Sequence, residues 1–386
     1  MRRGFGGPYE GANARVARDS TKARARAAYV GAMRIGSLDL GPRPLLLAPM
    51  EDVSDPPFRI ICKRYGADLQ YTEFISAGGL AYGAEGSVQK LEFYEDERPV
   101  GIQIFGGEID QVREAARIAD AQRPDLIDIN FGCPVKKVVC KDGGAGILRN
   151  LPKMEAITAA VVEEATRPVT VKTRLGWNDE SIRILEVARM LEDVGVAALA
   201  VHGRTRAQMY RGEARWEWFP QIRDVLRDIP FIGNGDATTP DRVKAMFDET
   251  GVDAVMIGRG AIGNPWIFRD AKALLEVGEV PDPPSWEERI EVVAEHLTLK
   301  CAWLGERKGV LEMRRMYGGY FKGHRNASQL RMRLMEHHDE AAVLDLLHSW
   351  RPEDEETTVP VARAVKPAAV PARLPRKARL PAADAA

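Results

Sequence analysis

Residues 126–134 read Leu126-Ile127-Asp128-Ile129-Asn130-Phe131-Gly132-Cys133-Pro134, a short apolar run that ends in an amide, a glycine and a thiol. The run predicts a buried strand, and Pro134 prevents further strand pairing because it has no N–H to donate. The loop that follows is rich in lysine and glycine. Cys133 is therefore predicted at the C-terminal tip of a strand, in an electropositive setting that favours a reactive cysteine. The alternative is a small apolar side chain that only closes the strand.

The same strand pattern recurs along the chain. Eight mostly apolar runs are predicted as strands: 45–48, 69–73, 100–105, 126–130, 169–173, 199–202, 230–234 and 254–258. Segments with helical periodicity separate most of them, at 111–121, 154–165, 182–194 and 242–249. Gly195 and Gly251 stand where a C-cap glycine belongs, and Asn150 is placed as an N-cap. Eightfold alternation of strand and helix predicts a parallel (β/α)8 TIM barrel, whose site lies at the C-terminal ends of the strands.

Composition divides the chain of 386 residues into four parts. Residues 1–32 are basic and poor in large apolar side chains, and residues 351–386 are rich in Pro, Ala and Arg, so both are predicted to be disordered. The barrel is predicted over 33–281. After a linker at 282–284, helical patterning over 286–303, 306–324 and 328–347 predicts a small all-α domain, 282–350.

The helical region carries many basic residues, including Arg314 and Arg315, with Tyr317, Tyr320 and Phe321 interleaved. This composition favours contact with an RNA backbone, and a solvated helix surface is the alternative. The formal net charge of the chain is only −1, so affinity for a polyanion must come from such patches.

Four cysteines without a C-x-x-C pair indicate neither a disulfide framework nor a zinc site, and they fit a reducing cytoplasm. No apolar run is long enough to span a membrane, no metal site is expected, and nothing implies an oligomeric partner.

Polar residues collect at the predicted C-terminal strand ends, where barrel chemistry occurs. With a proline, a methionine and two glycines among them, the residues at these ends are Pro49, Met50, Glu51, Gln103, Asn130, Lys172, Arg174, His202, Arg204, Asn234, Gly235, Asp236, Gly258 and Arg259. Buried cations require an anion, which is either a ligand or a barrel carboxylate. Residues 258–263 match G-x-G-x-x-G, but no strand-borne acid follows about twenty residues on, which argues against a dinucleotide. A mononucleotide phosphate, as in FMN, suits this position better.

Together these motifs resemble those of the tRNA-dihydrouridine synthases, flavoenzymes of the FMN-binding barrel superfamily, over roughly residues 33–348. The resemblance rests on Leu47-Ala48-Pro49-Met50, Asp55-Pro56-Pro57-Phe58-Arg59, Gln103-Ile104-Phe105-Gly106, residues 128–134, Val171-Lys172-Thr173-Arg174, Val201-His202-Gly203-Arg204-Thr205, Gly233-Asn234-Gly235-Asp236 and Met256-Ile257-Gly258-Arg259-Gly260. The pattern is most similar to that of the bacterial B-type branch.

The resemblance implies that NADPH, or else NADH, reduces FMN, and that Cys133 protonates C5 of a uridine in tRNA. It implies cofactor contacts from Pro49, Met50, Glu51, Gln103, Lys172, His202, Asn234, Gly235, Asp236, Gly258 and Arg259. It places Asn130, Arg174 and Arg204 against the substrate, to which the basic residues Arg314 and Arg315 are added. Glu51 departs from the small residue often found there, and Cys140 is expected to be a bystander.

Three other interpretations remain open. An FMN barrel could act on a free pyrimidine or another small molecule, which needs no basic helical region. A barrel without redox activity could serve as an RNA-binding protein. A sugar-phosphate isomerase or aldolase could use Lys172 as a Schiff base, although no paired carboxylate accompanies it.

Overall fold

The structure is a computed structural model that describes residues 31–351. The two predicted extensions, 1–32 and 351–386, lie almost entirely outside the described residues. Within the described range, the strands are β1 Arg34–Ile35, β2 Leu38–Asp39, β3 Leu45–Leu47, β4 Gln70–Tyr71, β5 Ile75–Ser76, β6 Val100–Phe105, β7 Leu126–Asn130, β8 Val169–Arg174, β9 Ala198–His202, β10 Phe231–Asn234 and β11 Ala254–Ile257.

Eight parallel strands of this described part form the barrel, in the order β3-β11-β10-β9-β8-β7-β6-β4. A parallel bridge between Leu46 and Leu69 joins the two ends of that order. There, the N–H of Leu47 donates to the carbonyl of Leu69 at 3.0 Å. The predicted TIM barrel is therefore confirmed.

The α-helices of residues 31–351 surround and follow this barrel. They are α1 Pro56–Arg64, α2 Ala77–Ala81, α3 Glu85–Gln89, α4 Ile109–Ala121, α5 Lys136–Val139, α6 Leu151–Glu164, α7 Ile184–Val194, α8 Phe219–Val225, α9 Pro240–Thr250, α10 Trp266–Glu276, α11 Trp286–Leu304, α12 Glu306–Met313, α13 Tyr317–Tyr320, α14 Ala327–Glu336 and α15 Glu340–Ser349. Short 3-10 turns lie at Glu95–Glu97, Gly144–Arg149, Asp179–Ser181, Trp216–Trp218 and Arg259–Ala261.

The predicted helix caps are confirmed. The Asn150 side chain accepts a hydrogen bond from the N–H of Lys153 at the start of α6. Gly195 and Gly251 end α7 and α9 with φ of 102° and 69°, in the left-handed region that glycine adopts without strain.

Apolar side chains form one layer inside the barrel and another between the strands and the helices. Leu46 belongs to the inner layer and its neighbour Leu47 to the outer one, as the alternation of a strand requires. The hairpin β1–β2 adds Ile35 to the inner layer. Its Gly36 lies against Pro168, which directly precedes β8, so the hairpin closes the N-terminal end of the barrel. Two-residue strands carry too little pattern for the sequence to reveal them.

The helical region is more broken than predicted. Helical patterning over 306–324 and 328–347 corresponds to two helices each, α12 with α13 and α14 with α15. The first break lies at residues 314–316, and in α13 beyond it Gly319 lies so close to the loop after β11 that a Cβ there would come within 1.9 Å of the Ile262 carbonyl. The second break lies at Asp339, whose side chain caps α15 by accepting from the N–H of Ala342.

A buried ion pair joins α11 to the barrel. The ammonium of Lys300 lies 2.7 Å from the Asp55 carboxylate, with the two side chains 1% and 3% exposed. Asp55 also caps α1 by accepting from the N–H of Phe58. Next to it, Arg59 pairs with Glu97. We call Asp55, Arg59, Glu97 and Lys300 the interface cluster. The division into a barrel of 33–281 and a helical domain of 282–350 remains a prediction.

None of the helices in the described range is long and apolar enough to cross a membrane.

Candidate active site at the barrel mouth

Cys133 lies at the mouth of the barrel, where the chain leaves β7. The Oδ1 atom of Asn130 accepts hydrogen bonds from the backbone N–H groups of Gly132 and Cys133, both at 2.9 Å, and so bends the chain after the strand. On the other side, a Cβ added to Gly144 would meet the Cβ of Cys133 at 3.0 Å. The residue is 7% exposed, so the thiol is held in a tight but reachable position.

Burial raises the pKa of the Cys133 thiol above its ordinary value. The N–H of Val135 and the cations Arg174 and Lys172 act in the opposite direction, and Glu51 adds to the rise. Burial prevails, so the thiol stays protonated at neutral pH. A protonated thiol suits a proton donor better than a nucleophile.

A chain of hydrogen bonds across β6, β7 and β8 fixes the orientation of Asn130. Its Nδ2 donates to the Oε1 of Gln103 at 2.8 Å, and the Nε2 of Gln103 donates to Asp128 at 2.6 Å. Thr170 donates to the other carboxylate oxygen of Asp128 at 2.5 Å. Burial raises the pKa of Asp128 to about 6, against these hydrogen bonds and the charge of Lys172. Gln103 keeps one N–H and one lone pair for a further partner.

Lys172 lies beside Asn130 in the register of β7 and β8. Its ammonium group makes no hydrogen bond or ion pair within residues 31–351. Burial and the neighbouring Arg174 lower its pKa to about 8. A sheltered cation without a partner is costly, so the site calls for an acceptor or an anion from outside the described chain. The alternative, an ion pair with a barrel carboxylate, is not formed among the described residues; the buried Asp128 acts on Lys172 only through its charge and raises the pKa of Lys172.

Arg174 ties two loops together. Its guanidinium donates to the carbonyls of Gly132 at 2.7 Å, Thr205 at 3.2 Å and Met209 at 2.9 Å. Burial lowers its pKa to about 10, which leaves it charged at neutral pH. Because its bonds reach only neutral carbonyls, its positive charge remains uncompensated beside Cys133.

The predicted phosphate side of the mouth contains a different arrangement. Asp236 accepts from Arg204 at 2.8 Å and from Arg259 at 2.9 Å. Burial would raise the pKa of Asp236, but the bonds from Arg204 and from the Ala214 N–H outweigh it and lower the pKa. Arg204 is 2% exposed, so we expect it to position Asp236 rather than to contact a substrate. The Arg259 side chain is 46% exposed and can reach a ligand.

His202 and Tyr210 complete this side. Burial, together with the surrounding cations, lowers the pKa of His202 well below its usual value, so the imidazole is neutral. The exposed ring of Tyr210 lies 5.0 Å from the guanidinium carbon of Arg259 and 5.7 Å from that of Arg174. Sequence reasoning missed Tyr210 because a loop residue carries no periodic signal.

Gly235, Gly258 and the side-chain amide of Asn234 lie at the mouth, where β10 and β11 end. Gly235 has φ of 118°, and a Cβ there would come within 2.8 Å of the Cβ of Ala214. Gly258 follows β11, and a Cβ there would lie in ordinary contact with Ala48 Cβ at 3.6 Å and the Met50 sulfur at 3.7 Å. The Nδ2 of Asn234 donates to the carbonyl of Met256 at 2.7 Å, so this predicted ligand residue also braces β10 against β11.

Pro49, Met50 and Glu51 follow β3. The N–H of Met50 donates to the Oγ of Ser54 at 2.8 Å, which bends the loop towards α1. The exposed Glu51 carboxylate pairs with Lys90 at 2.5 Å. Its negative charge and its partner make Glu51 unsuited to an anionic cofactor.

Glu51 also belongs to a carboxylate group with Asp52 and Glu73, whose oxygen atoms lie within 4.8 Å of one another. Lys90 reaches Glu73 at 3.5 Å, and Arg315 pairs with Asp52 at 2.9 Å. These ion pairs account for the clustering of the carboxylates.

The two arginines predicted to bind RNA have contacts within the fold. Arg314 donates to the carbonyl of Met335 at 2.7 Å, at the end of α14. Arg315 links the helical region to Asp52 of the barrel mouth. Neither contact was visible in the sequence, because both partners are distant along the chain.

The interleaved aromatic residues of the helical region are core residues. Tyr317, Tyr320 and Phe321 are all 0% exposed, and the Tyr320 hydroxyl lies 2.9 Å from the Nδ1 atom of His296. The expectation that they line an RNA surface is wrong. Apolar packing between α11 and α13 explains their spacing.

Comparison with known proteins adds to this geometry. A family model described as dihydrouridine synthase (Dus) matches residues 46–353, most of the chain. The chain belongs to the dihydrouridine synthase family. The match begins within β3 and ends just beyond α15, so the barrel and the helical region both belong to the family unit.

Relatives in several bacteria match over nearly their whole length. The tRNA-dihydrouridine synthase B of Xanthomonas axonopodis is 40% identical over 299 residues, which are 78% of this chain and 90% of that protein. The protein of that name in Shewanella oneidensis is 40% identical, covering 75% of this chain and 89% of its own length. A probable tRNA-dihydrouridine synthase 1 of Synechocystis is 39% identical, with coverage of 79% and 85%.

Among solved structures, an old yellow enzyme homologue from Zymomonas mobilis matches with a TM-score of 0.47 and 15% identity, covering 66% of this chain and 94% of that one. The fold assignment rests on the strand order described above.

Proposed function

We propose that this protein is a tRNA-dihydrouridine synthase, which reduces the C5–C6 double bond of uridines in tRNA to 5,6-dihydrouridine. The observation that carries the proposal is coverage, because the match spans 90% of the Xanthomonas relative that bears this name. We assign FMN as the cofactor and NADPH as the reductant, with NADH as the alternative, and the cytoplasm as the place of action.

The mouth residues fit an anionic cofactor such as FMN. Lys172 presents an ammonium group without a partner in the described chain, and Arg259 presents a half-exposed guanidinium. Glycine at position 235, with φ of 118°, lets the backbone pass close to Ala214 and His202, which a Cβ would meet at 2.8 and 2.9 Å. Such a set suits a phosphate approached by backbone N–H groups and a ring edge that accepts hydrogen bonds.

We assign cofactor binding to Pro49, Met50, Gln103, Lys172, His202, Asn234, Gly235, Asp236, Gly258 and Arg259. Within this set Asp236 positions Arg259, since its carboxylate has the wrong charge to face a phosphate itself. Glu51 stands outside the set, because its carboxylate pairs with Lys90.

Held by these residues and reduced by NADPH, FMN would supply a hydride for C6 of the uracil. The Sγ–H group of Cys133 supplies the proton for C5, so that the base gains one hydride and one proton. The raised pKa of Cys133 keeps this proton in place until the base arrives. Arg174 and Lys172, whose charges act on the thiol, stabilise the thiolate that remains until water restores its proton.

Asn130 positions the thiol, because its Oδ1 accepts a hydrogen bond from the backbone N–H of Cys133. A uridine must leave its stack to reach a residue that lies this deep in the mouth. We therefore assign Asn130 and Arg174 to the substrate side of the site, with Arg204 behind them.

The test is reduction of tRNA isolated from a strain that lacks this protein. Purified enzyme, FMN and NADPH are expected to add two hydrogens to specific uridines, detected by mass spectrometry of nuclease digests. Reduction of free uridine but not of tRNA would favour a small-molecule reductase. A protein that takes up no flavin and binds tRNA would favour the non-redox alternative.

A further inference from the structure

The loop that carries Cys133 bears exposed cations. Lys136, Lys137 and Lys141 are exposed, and none of them forms an ion pair in the part of the chain that the structure describes. The one carboxylate in this loop, Asp142, lies 3.3 Å from Arg149 and 3.7 Å from Lys153. The loop therefore presents a net positive charge to solvent directly beside the candidate acid.

A tryptophan next to this loop carries two guanidinium groups. The guanidinium carbons of Arg149 and Arg206 each lie 4.5 Å from the ring centroid of Trp177. The Nε atom of Arg206 is buried without a hydrogen-bond partner, and its guanidinium forms no ion pair among the described residues. Arg149 has the Asp142 carboxylate at 3.3 Å, whereas Arg206 on the same indole has no anionic partner among the described residues, so its charge favours an anion from outside.

These side chains are connected to the mouth. The N–H of Arg206 donates to the carbonyl of Gly176, and the N–H of Ala207 donates to that of Trp177, both at 2.9 Å. The loop after β9 thus runs alongside the loop after β8. Arg149 ends the segment that begins at Cys133. The cations therefore lie on the loops that follow β7, β8 and β9, at the end of the barrel where the thiol lies.

We propose that Lys136, Lys137, Lys141, Arg149, Trp177 and Arg206, which we call the cationic rim, bind the sugar–phosphate backbone of the RNA strand next to the target nucleotide. This inference rests on the proposed function and names the barrel's own share in holding the tRNA. Exposed lysines without ion pairs, next to guanidinium groups stacked on an aromatic ring, match a strand of phosphates.

Three arginines of the helical region are weaker candidates for this contact. Arg314 and Arg315 are engaged within the fold, and Arg333 stacks on Trp350 at 5.5 Å. The rim lysines have no such partners among the described residues. A small-molecule substrate would use only the mouth, so cations placed outside it indicate a polyanion.

The experiment measures tRNA affinity as a function of salt for the full-length, FMN-loaded protein. The double variant Lys136→Ala/Lys137→Ala is expected to bind tRNA roughly 5- to 30-fold more weakly at low salt. The slope of log Kd against log salt should fall by about 0.7–0.9 for each RNA phosphate that the variant no longer neutralises. The KM for tRNA should rise by far more than kcat falls.

A matched control is Arg113→Ala/Arg117→Ala on α4, at the outside of the barrel, where each arginine is exposed beside a glutamate. It is expected to bind tRNA as the wild type does. Trp177→Phe should retain most of the affinity that Trp177→Ala loses, because an aromatic face remains for the two guanidinium groups.

If the lysine variant binds tRNA with wild-type affinity and wild-type salt slope, the cationic rim does not bind the RNA backbone. The proposed function would still stand, provided that the wild type reduces tRNA. A wild-type protein that neither binds nor reduces tRNA would overturn both. Equal losses in the lysine variant and the α4 control would also overturn the rim, since they would show only a general effect of charge.

Discussion

The barrel mouth and the interface cluster both hold a lysine away from water, but they treat its charge in opposite ways. Lys300 lies 2.7 Å from a buried carboxylate, Asp55. Lys172 has no such partner among the described residues, and its pKa is lowered to about 8. Where a cation serves the fold, the fold supplies the anion. Where it serves a ligand, the fold leaves the position open.

The largest effect is expected at the barrel mouth. Cys133→Ala should fold and retain FMN, yet reduce tRNA about 10²–10⁴-fold more slowly in a single turnover, the usual contribution of a positioned acid. The exposed Cys140 is the matched control, and Cys140→Ala should react as the wild type does. If Cys133→Ala reduces tRNA at the normal rate, the proton comes from another group.

The next effect concerns the interface cluster. Lys300→Met should lower the free energy of unfolding by about 3–5 kcal/mol, because Asp55 would keep a buried charge without a partner. Urea unfolding measures this loss. The double variant Lys300→Met/Asp55→Asn should recover much of the stability, since no unpaired charge remains. An unchanged stability in the single variant would show that water reaches this pair.

A smaller effect is expected on the phosphate side. Arg259→Ala should weaken FMN binding by about 1.5–3 kcal/mol, the range for a hydrogen bond to a charged group. Fluorescence titration of FMN into the flavin-free protein provides the measurement. Arg242→Ala, a guanidinium that stacks on Trp216 instead, is the control. Full retention of FMN by Arg259→Ala would remove this arginine from the cofactor set.

The smallest effect has the opposite sign. Lys172→Met should stabilise the flavin-free protein by about 1–2 kcal/mol at neutral pH, because a sheltered ammonium without a partner is removed. The same substitution at position 300 should destabilise. Reduced FMN affinity in Lys172→Met would show that the variant gains stability but loses a side chain that binds the cofactor.

The pH dependence gives an independent check. The pKa of Lys172 is about 8 in the folded state, below the unfolded value of about 10.4. Between these values the unfolded state binds more protons, so wild-type stability should rise with pH in this window. Lys172→Met should lack that rise. Unfolding in urea at several pH values tests the sign, and parallel curves for the two proteins would contradict it.

Sequence reasoning predicted the barrel well because its signals are local. Each strand is an apolar run, and helix ends are marked by residues such as Asn150, Gly195 and Gly251. Reasoning failed where a pattern had two explanations. The aromatic residues Tyr317 and Tyr320 suit either an RNA surface or a helix interface, and only the packing of α11 against α13 distinguishes these.

By itself the sequence determined the order of the strands, the residues at their C-terminal ends and the position of Cys133 after β7, since period and capping act within a few residues. Tertiary structure alone decided which charges have partners. Asp236 pairs with Arg204 and Arg259, which are 32 and 23 residues away along the chain. Asp55 pairs with Lys300, although nearly the whole barrel sequence lies between them. Such pairing depends on distances of a few ångströms in the folded chain, and no local pattern encodes it. For that reason the open position at Lys172 could be recognised only in the structure.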